Sequence, residues 1–157
     1  MPASVYLETT IVSYLTGRPN RDIRIRAHQQ ATRRWWRTRR MDFRTFVSPL
    51  VWDEAAAGDA AAARRRLRLL RGVPVLAISD PVKRLAAYLL QRGAVPDIAE
   101  VDAAHIALAA VHGMEYLLTW NCKHIANAAK RDEIEEACSQ LGFRSAIICT
   151  PEELLED

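Results

Sequence analysis

Glu8, Glu54, Asp102 and Asn121 are the residues whose types and settings suit chemistry. Asp102 carries the strongest signal. It lies in the stretch Pro96–Ala110, where Ile98, Val101, Ile106, Ala109 and Gly113 follow the three-or-four spacing of an amphipathic helix. Asp102 and His105 fall inside that apolar stripe, and a carboxylate facing a core is costly unless it is paired or binds a metal. Asp97 and Glu100 form a capping-box pattern after Pro96, so these two acids have a structural explanation that Asp102 lacks. Carboxylate and amide oxygens suit a hard divalent ion, Mg²⁺ or Mn²⁺, rather than zinc. Beside a basic segment, such a cluster suits metal-assisted phosphodiester cleavage: the metal activates water and neutralises the phosphate.

The basic segment is present. Arginines stand at 18, 21, 24, 26, 33, 34, 37, 39, 40 and 44, against Asp22 and Asp42 alone, although the whole chain carries a net charge of only +3. Such a block is the usual footprint of a polyanion partner; for any single arginine a solvated helix face explains it equally well. The C-terminal end, from Asp132 to Asp157, is acidic.

The elements that must position these side chains can be read along the chain. Val5–Leu7 is a first strand with Glu8 at its end, and Thr9 or Thr10 caps a helix over Ile11–Leu15. Asp22–Arg40 is a basic helix, and Phe43–Val47 a strand. Ser48-Pro49 starts a helix with the hydroxyl as cap and places Glu54 early in it. Ala60–Leu70 is helical, Val73–Ile78 a strand, and the run from Ser79 through Gln91 a helix. The Asp102 helix follows, with Asp102 in its second turn, ending at Gly113. Then come a strand over Glu115–Thr119, helices over Lys123–Ala129 and Asp132–Leu141, a strand over Ala146–Cys149 and a short helix over Pro151–Leu155. Strands separated by helices imply a three-layer α/β/α sandwich with a mainly parallel central sheet. Ligands bind such sheets at the carboxyl ends of the strands, which is where the four candidates converge.

At 157 residues, 50% hydrophobic and without a linker or repeat, the chain is expected to be a single domain over 1–157. Cys122, Cys138 and Cys149 form no CxxC pair and read as reduced thiols of a cytoplasmic protein. No apolar run is long enough to span a bilayer. A Gly-rich phosphate loop is absent, and no adjacent acid pair follows the first strand, which argues against a nucleotide-binding or receiver-like protein.

Four blocks also carry a family resemblance: residues 5–10 (VYLETT), 48–54 (SPLVWDE), 102–107 (DAAHIA) and 117–125 (LLTWNCKHI). In this order they resemble PIN-domain proteins, most of all the VapC-like toxins of bacterial type II toxin–antitoxin pairs. The resemblance implies a Mg²⁺- or Mn²⁺-dependent endoribonuclease, frequent homodimers and a cognate antitoxin. It implies Glu8, Glu54, Asp102 and Asn121 as catalytic and metal-holding residues. Two positions depart from the family pattern: Glu8 and Asn121 stand where Asp is usual, leaving three carboxylates instead of four. A catalytically weak or inactive PIN-like module that binds RNA or protein is therefore the alternative.

Each candidate has a bland counterpart. Asp102 could be a buried acid paired with an arginine, and Glu8 a surface acid. From sequence alone Asp53 serves as well as Glu54, and an acid in a first turn is favoured by the helix dipole. Asn121 could be the cap of the next helix, and Thr10 either a cap or a hydrogen-bond partner of Glu8. His105 reads as a core histidine with a backbone partner, and His28, His112 and His124 as structural. Trp35 and Trp36 could stack on bases, but they point about 100° apart on a helix, so at least one packs inside. Trp120 reads as core, and Arg64–Arg66 as a solvated face or antitoxin contact.

Overall fold

The computed structural model describes residues 1–96 and 99–155. Its centre is a four-stranded parallel sheet with strand order β2-β1-β3-β4. The strands are β1 (Ala3–Leu7), β2 (Phe43–Phe46), β3 (Tyr116–Leu118) and β4 (Ile147–Cys149). Val5, Tyr6 and Leu7 are buried because β1 is paired on both sides, to β2 with Tyr6 opposite Phe46 and to β3 with Leu7 opposite Leu118. Beyond the strand ends, Glu8 N–H donates to Leu118 O (3.1 Å) and Thr119 N–H to Cys149 O (3.0 Å). The carboxyl edge of the sheet is thereby held in register up to Glu8 and Thr119.

The helices fall into two packed groups that flank the sheet. One contains α1 (Thr9–Thr16), α2 (Ile23–Thr38), α3 (Pro49–Ala55) and α4 (Ala60–Leu70); the other contains α5 (Asp80–Gln91), α6 (Glu100–Val111) and α7 (Arg131–Gln140). The expected three-layer α/β/α architecture is present. The core joins Leu7, Ile11, Trp35, Leu85, Leu89, Ile106 and Leu117 into one cluster. Among the described residues, no helix is long and apolar enough to cross a membrane.

Several local expectations are corrected. Val73–Ile78 forms no strand but a single parallel bridge between Val47 and Val75. Pro74 has no N–H to offer a ladder, and its carbonyl accepts from Val47 N–H instead. Lys123–Ala129 is not a helix. Asn121 O accepts from both Ile125 N–H and Ala126 N–H, and the chain turns until a short 3₁₀ segment, Ala128–Lys130. The apolar stripe proposed for the Asp102 helix is also different: Val101 is exposed, while His105 through Ala110 are all buried. The expected cap Asp97 lies outside the described residues; Ala99 precedes the first turn of α6 and makes no side-chain cap bond. Gly113, at φ +69°, ends α6 as anticipated.

Arg64 is exposed, as expected, but Arg65 and Arg66 do more than line a solvated face. Arg65 Nε donates to Thr16 O at the end of α1 (3.2 Å), and Arg66 Nε to Ala55 O at the end of α3 (2.9 Å). Both satisfy carbonyls that a helix terminus leaves without intrahelical partners.

Candidate functional site

The site grows from the first residue past β1. Glu8 is almost wholly buried (4% exposed), which would be costly for an unaided carboxylate. Two hydroxyls answer it: Thr10 Oγ1 at 2.5 Å and Thr119 Oγ1 at 2.7 Å, both donating to Oε1. Thr119 follows β3, so the two central strands deliver acid and donor to the same point. Trp120 N–H donates to Thr10 Oγ1 (2.9 Å) and Asn121 N–H to Thr119 Oγ1 (2.9 Å), fixing both hydroxyls.

Glu54 reaches the same region from α3. This helix has only seven residues, so Glu54 lies in its last turn rather than its first. The helix dipole, unfavourable to an acid at that end, does not explain it. Its Oε1 accepts from Thr9 Oγ1 (2.6 Å) and lies 2.7 Å from His105 Nε2. Burial raises the Glu54 pKa, but the hydrogen bonds from His105 and Thr9 outweigh it and hold the carboxyl below its ordinary value. Asp53, the alternative acid, is exposed as Glu54 is, but it is Glu54 that bonds to Thr9 and His105.

His105 is fully buried, and its partners are side chains, not the backbone expected for it. Its Nδ1 lies 2.7 Å from Tyr6 OH, which in turn lies 2.7 Å from Ser48 Oγ. Ser48 makes no cap bond to α3, although Pro49 occupies the first turn as expected. Thr9 and Thr10 likewise make no cap for α1, whose N-cap position is Glu8 itself. Three hydroxyls that capping rules assign to helix ends thus belong to the site's hydrogen-bond network. Burial raises the Tyr6 pKa far above its ordinary value, so its phenol keeps its proton.

Ligand atoms of Glu8, Glu54 and His105 lie within 4.8 Å of one another, a spacing compatible with one cation. The two carboxylates suit a hard divalent ion of the Mg²⁺–Mn²⁺ kind, while the imidazole is engaged by Glu54. Asp102 is not part of this trio; it lies in the first turn of α6, a turn earlier than expected. Its Oδ2 accepts from His124 Nδ1 (2.9 Å), so its partner is a histidine, not an arginine. Asn121 Oδ1 accepts from His124 N–H (3.0 Å), which is the capping role, here applied to a turn rather than a helix. Tyr6, Thr9, Ser48 and Thr119 escaped sequence reasoning. The one available signal was a tyrosine inside an otherwise aliphatic first strand.

The aromatic residues are placed by packing. Trp35 is fully buried and Trp36 half-buried, with Arg40 over its ring at 4.2 Å. Trp120 is half-buried, stacked on His28 (centroids 4.0 Å, planes 10° apart), and its indole N–H donates to Thr32 Oγ1.

Sheet and site together define a parallel three-layer α/β/α protein with a carboxylate–histidine cluster at the carboxyl ends of its central strands. More particularly, the chain belongs to the PIN domain family, whose model matches residues 5–131. No curated protein matches the sequence. Among solved structures, the fold is similar to that of a chain in VapBC2 from Rickettsia felis, a complex bound to a DNA fragment from its promoter. The TM-score is 0.59 and the identity 14%, over 93% of this chain and 97% of that one; at this identity the likeness is one of fold.

Proposed function

We propose that this protein is a divalent-metal-dependent endoribonuclease, the toxin of a type II toxin–antitoxin pair. The observation that carries the proposal is the approach of Glu8 and Glu54 carboxylate oxygens to within 4.8 Å of one another at the carboxyl edge of the sheet, with His105 bonded to Glu54. Glu8 and Glu54 would hold Mg²⁺ or Mn²⁺, with Asp102 and Asn121 completing the surroundings. The cation supplies charge neutralisation at the phosphate and acidifies water. Thr10, Thr119 and Thr9 keep the two glutamates oriented. The arginines of α2 track the RNA backbone as point charges. Membership of the PIN domain family and a fold shared with a chain of a VapBC complex support an antitoxin partner. On this reading the 157 residues act as one domain, homodimeric, in the cytoplasm, where three free thiols stay reduced.

A second reading is favoured by one observation: Asp102 is engaged by His124, and the Asn121 side chain caps a turn. Only Glu8 and Glu54 would then face a cation, in a module that binds RNA without cutting it.

The test is cleavage of a mixed RNA pool by the purified chain in EDTA, Mg²⁺ or Mn²⁺, beside Asp102→Asn. Metal-dependent cleavage that disappears in Asp102→Asn, with circular dichroism unchanged, is the expected result. Salt-sensitive RNA binding without cleavage in any metal would replace it with the binding module.

A further inference from the structure

Behind Glu54 lies a series of hydrogen bonds that the proposed reaction leaves unassigned. Ser48, Tyr6 and His105 are each 0% exposed, and their polar atoms connect in line. Ser48 Oγ is 2.7 Å from Tyr6 OH, Tyr6 OH is 2.7 Å from His105 Nδ1, and His105 Nε2 is 2.7 Å from Glu54 Oε1. The direction of the bonds follows from donor inventory. A carboxylate only accepts, so Nε2 carries the hydrogen. With a hydrogen on Nε2 alone, Nδ1 accepts and Tyr6 O–H donates to it. The phenol oxygen in turn accepts from Ser48 O–H. Every donor in the series is aimed toward Glu54.

Glu54 needs such an anchor. It projects from the last turn of a seven-residue helix, and its side chain is 40% exposed. A free glutamate there would sample several rotamers. His105 and Thr9 both bond to Oε1, and among the described residues Oε2 has no hydrogen-bond partner. We propose that His105, aligned by Tyr6 and Ser48, is a positioning residue that fixes Glu54 through Oε1 and leaves Oε2 for the cation. This rests on the metal-nuclease reading above and adds to it three residues buried in the core.

Two measurements test it. In ¹⁵N-labelled, EDTA-treated protein, the ring shifts of His105 report the tautomer: Nε2–H with Nδ1 accepting is expected, and Tyr6→Phe redistributes it. In Mn²⁺, Tyr6→Phe and His105→Gln, which keeps an N–H for Glu54, are expected to lower kcat about tenfold with KM for RNA nearly unchanged. His105→Leu is expected to lose about 100-fold, the range typical of groups that orient metal ligands. Against a Glu54→Gln background, Tyr6→Phe adds no further loss. An Nδ1–H tautomer would overturn the proposal. So would a wild-type kcat in Tyr6→Phe while Glu54→Gln abolishes cleavage, or loss of the Nε2 proton on adding Mg²⁺, which would make His105 itself a ligand. A wild-type chain inactive in every metal would overturn the nuclease reading instead, and the ring shifts would still decide whether the donors are ordered as argued.

Discussion

Thr119 Oγ1 donates to Glu8 Oε1 at 2.7 Å, joining residues 111 positions apart at the ends of adjacent strands. Replacing Thr119 by Val keeps the shape and removes the donor, leaving a buried carboxylate with Thr10 alone. Thr119→Val is expected to lower stability by about 1–3 kcal/mol, the cost of an unsatisfied buried acceptor. Urea unfolding in EDTA measures this, and an unchanged midpoint would show that Glu8 does not depend on the bond.

Acid should weaken the protein through Glu54. Its folded pKa lies below the ordinary value of 4.5, because the bonds from His105 and Thr9 outweigh the effect of burial. A depressed folded pKa contributes stability that is complete above the unfolded pKa and disappears as pH falls through the folded one. The stability difference between wild type and Glu54→Gln, measured metal-free, should therefore be flat above about pH 5 and shrink below it. A difference constant down to pH 3 would contradict the shift.

The tryptophan pair should split into unequal halves. Trp35 is fully enclosed and packs against Phe43, so Trp35→Ala is expected to cost about 3–5 kcal/mol. Trp36 is half-buried under Arg40 and should cost much less. Thermal melts of the two alanine variants give the order directly.

Thiol labelling offers a check on the sheet. Cys122 is exposed, whereas Cys138 and Cys149 are buried. Burial pushes the Cys138 thiol up to about 11 and the Cys149 thiol up to about 12. One fast-reacting thiol in native protein and three in denaturant are expected. A second fast thiol would mean that β4 or α7 opens.

Much of the fold was legible because it depends on local patterns. Apolar runs marked β1, β2, β3 and β4, and glycine marked the end of α6. Val73–Ile78 misled because its pattern fits a strand while Pro74 withholds a donor. The site was legible in its acids but not in what holds them. Thr9, Thr10 and Ser48 stand where helix capping predicts a hydroxyl, and local rules send that hydroxyl to the backbone. Tertiary proximity redirects Thr9 and Ser48 toward Glu54 and Tyr6, whereas Thr10 turns to Glu8 two residues back, the alternative already open to it in the sequence. His105 was read as core, and it is buried; only the placement of Tyr6 and Glu54 around it reveals a second role. Departures from local rules at a polar cluster are what a site built across distant segments produces.

The parallel pairing of β1 with β3 has a consequence for synthesis. Glu8 is made well before its partner Thr119, which follows 111 positions later. Until β3 has emerged and docked, β1 can pair only with β2, and Glu8 has Thr10 but not Thr119 as a donor. A chain cut short by a stalled or aborted ribosome before that point therefore carries Glu8 without the Thr119 hydroxyl that meets its carboxylate in the finished fold.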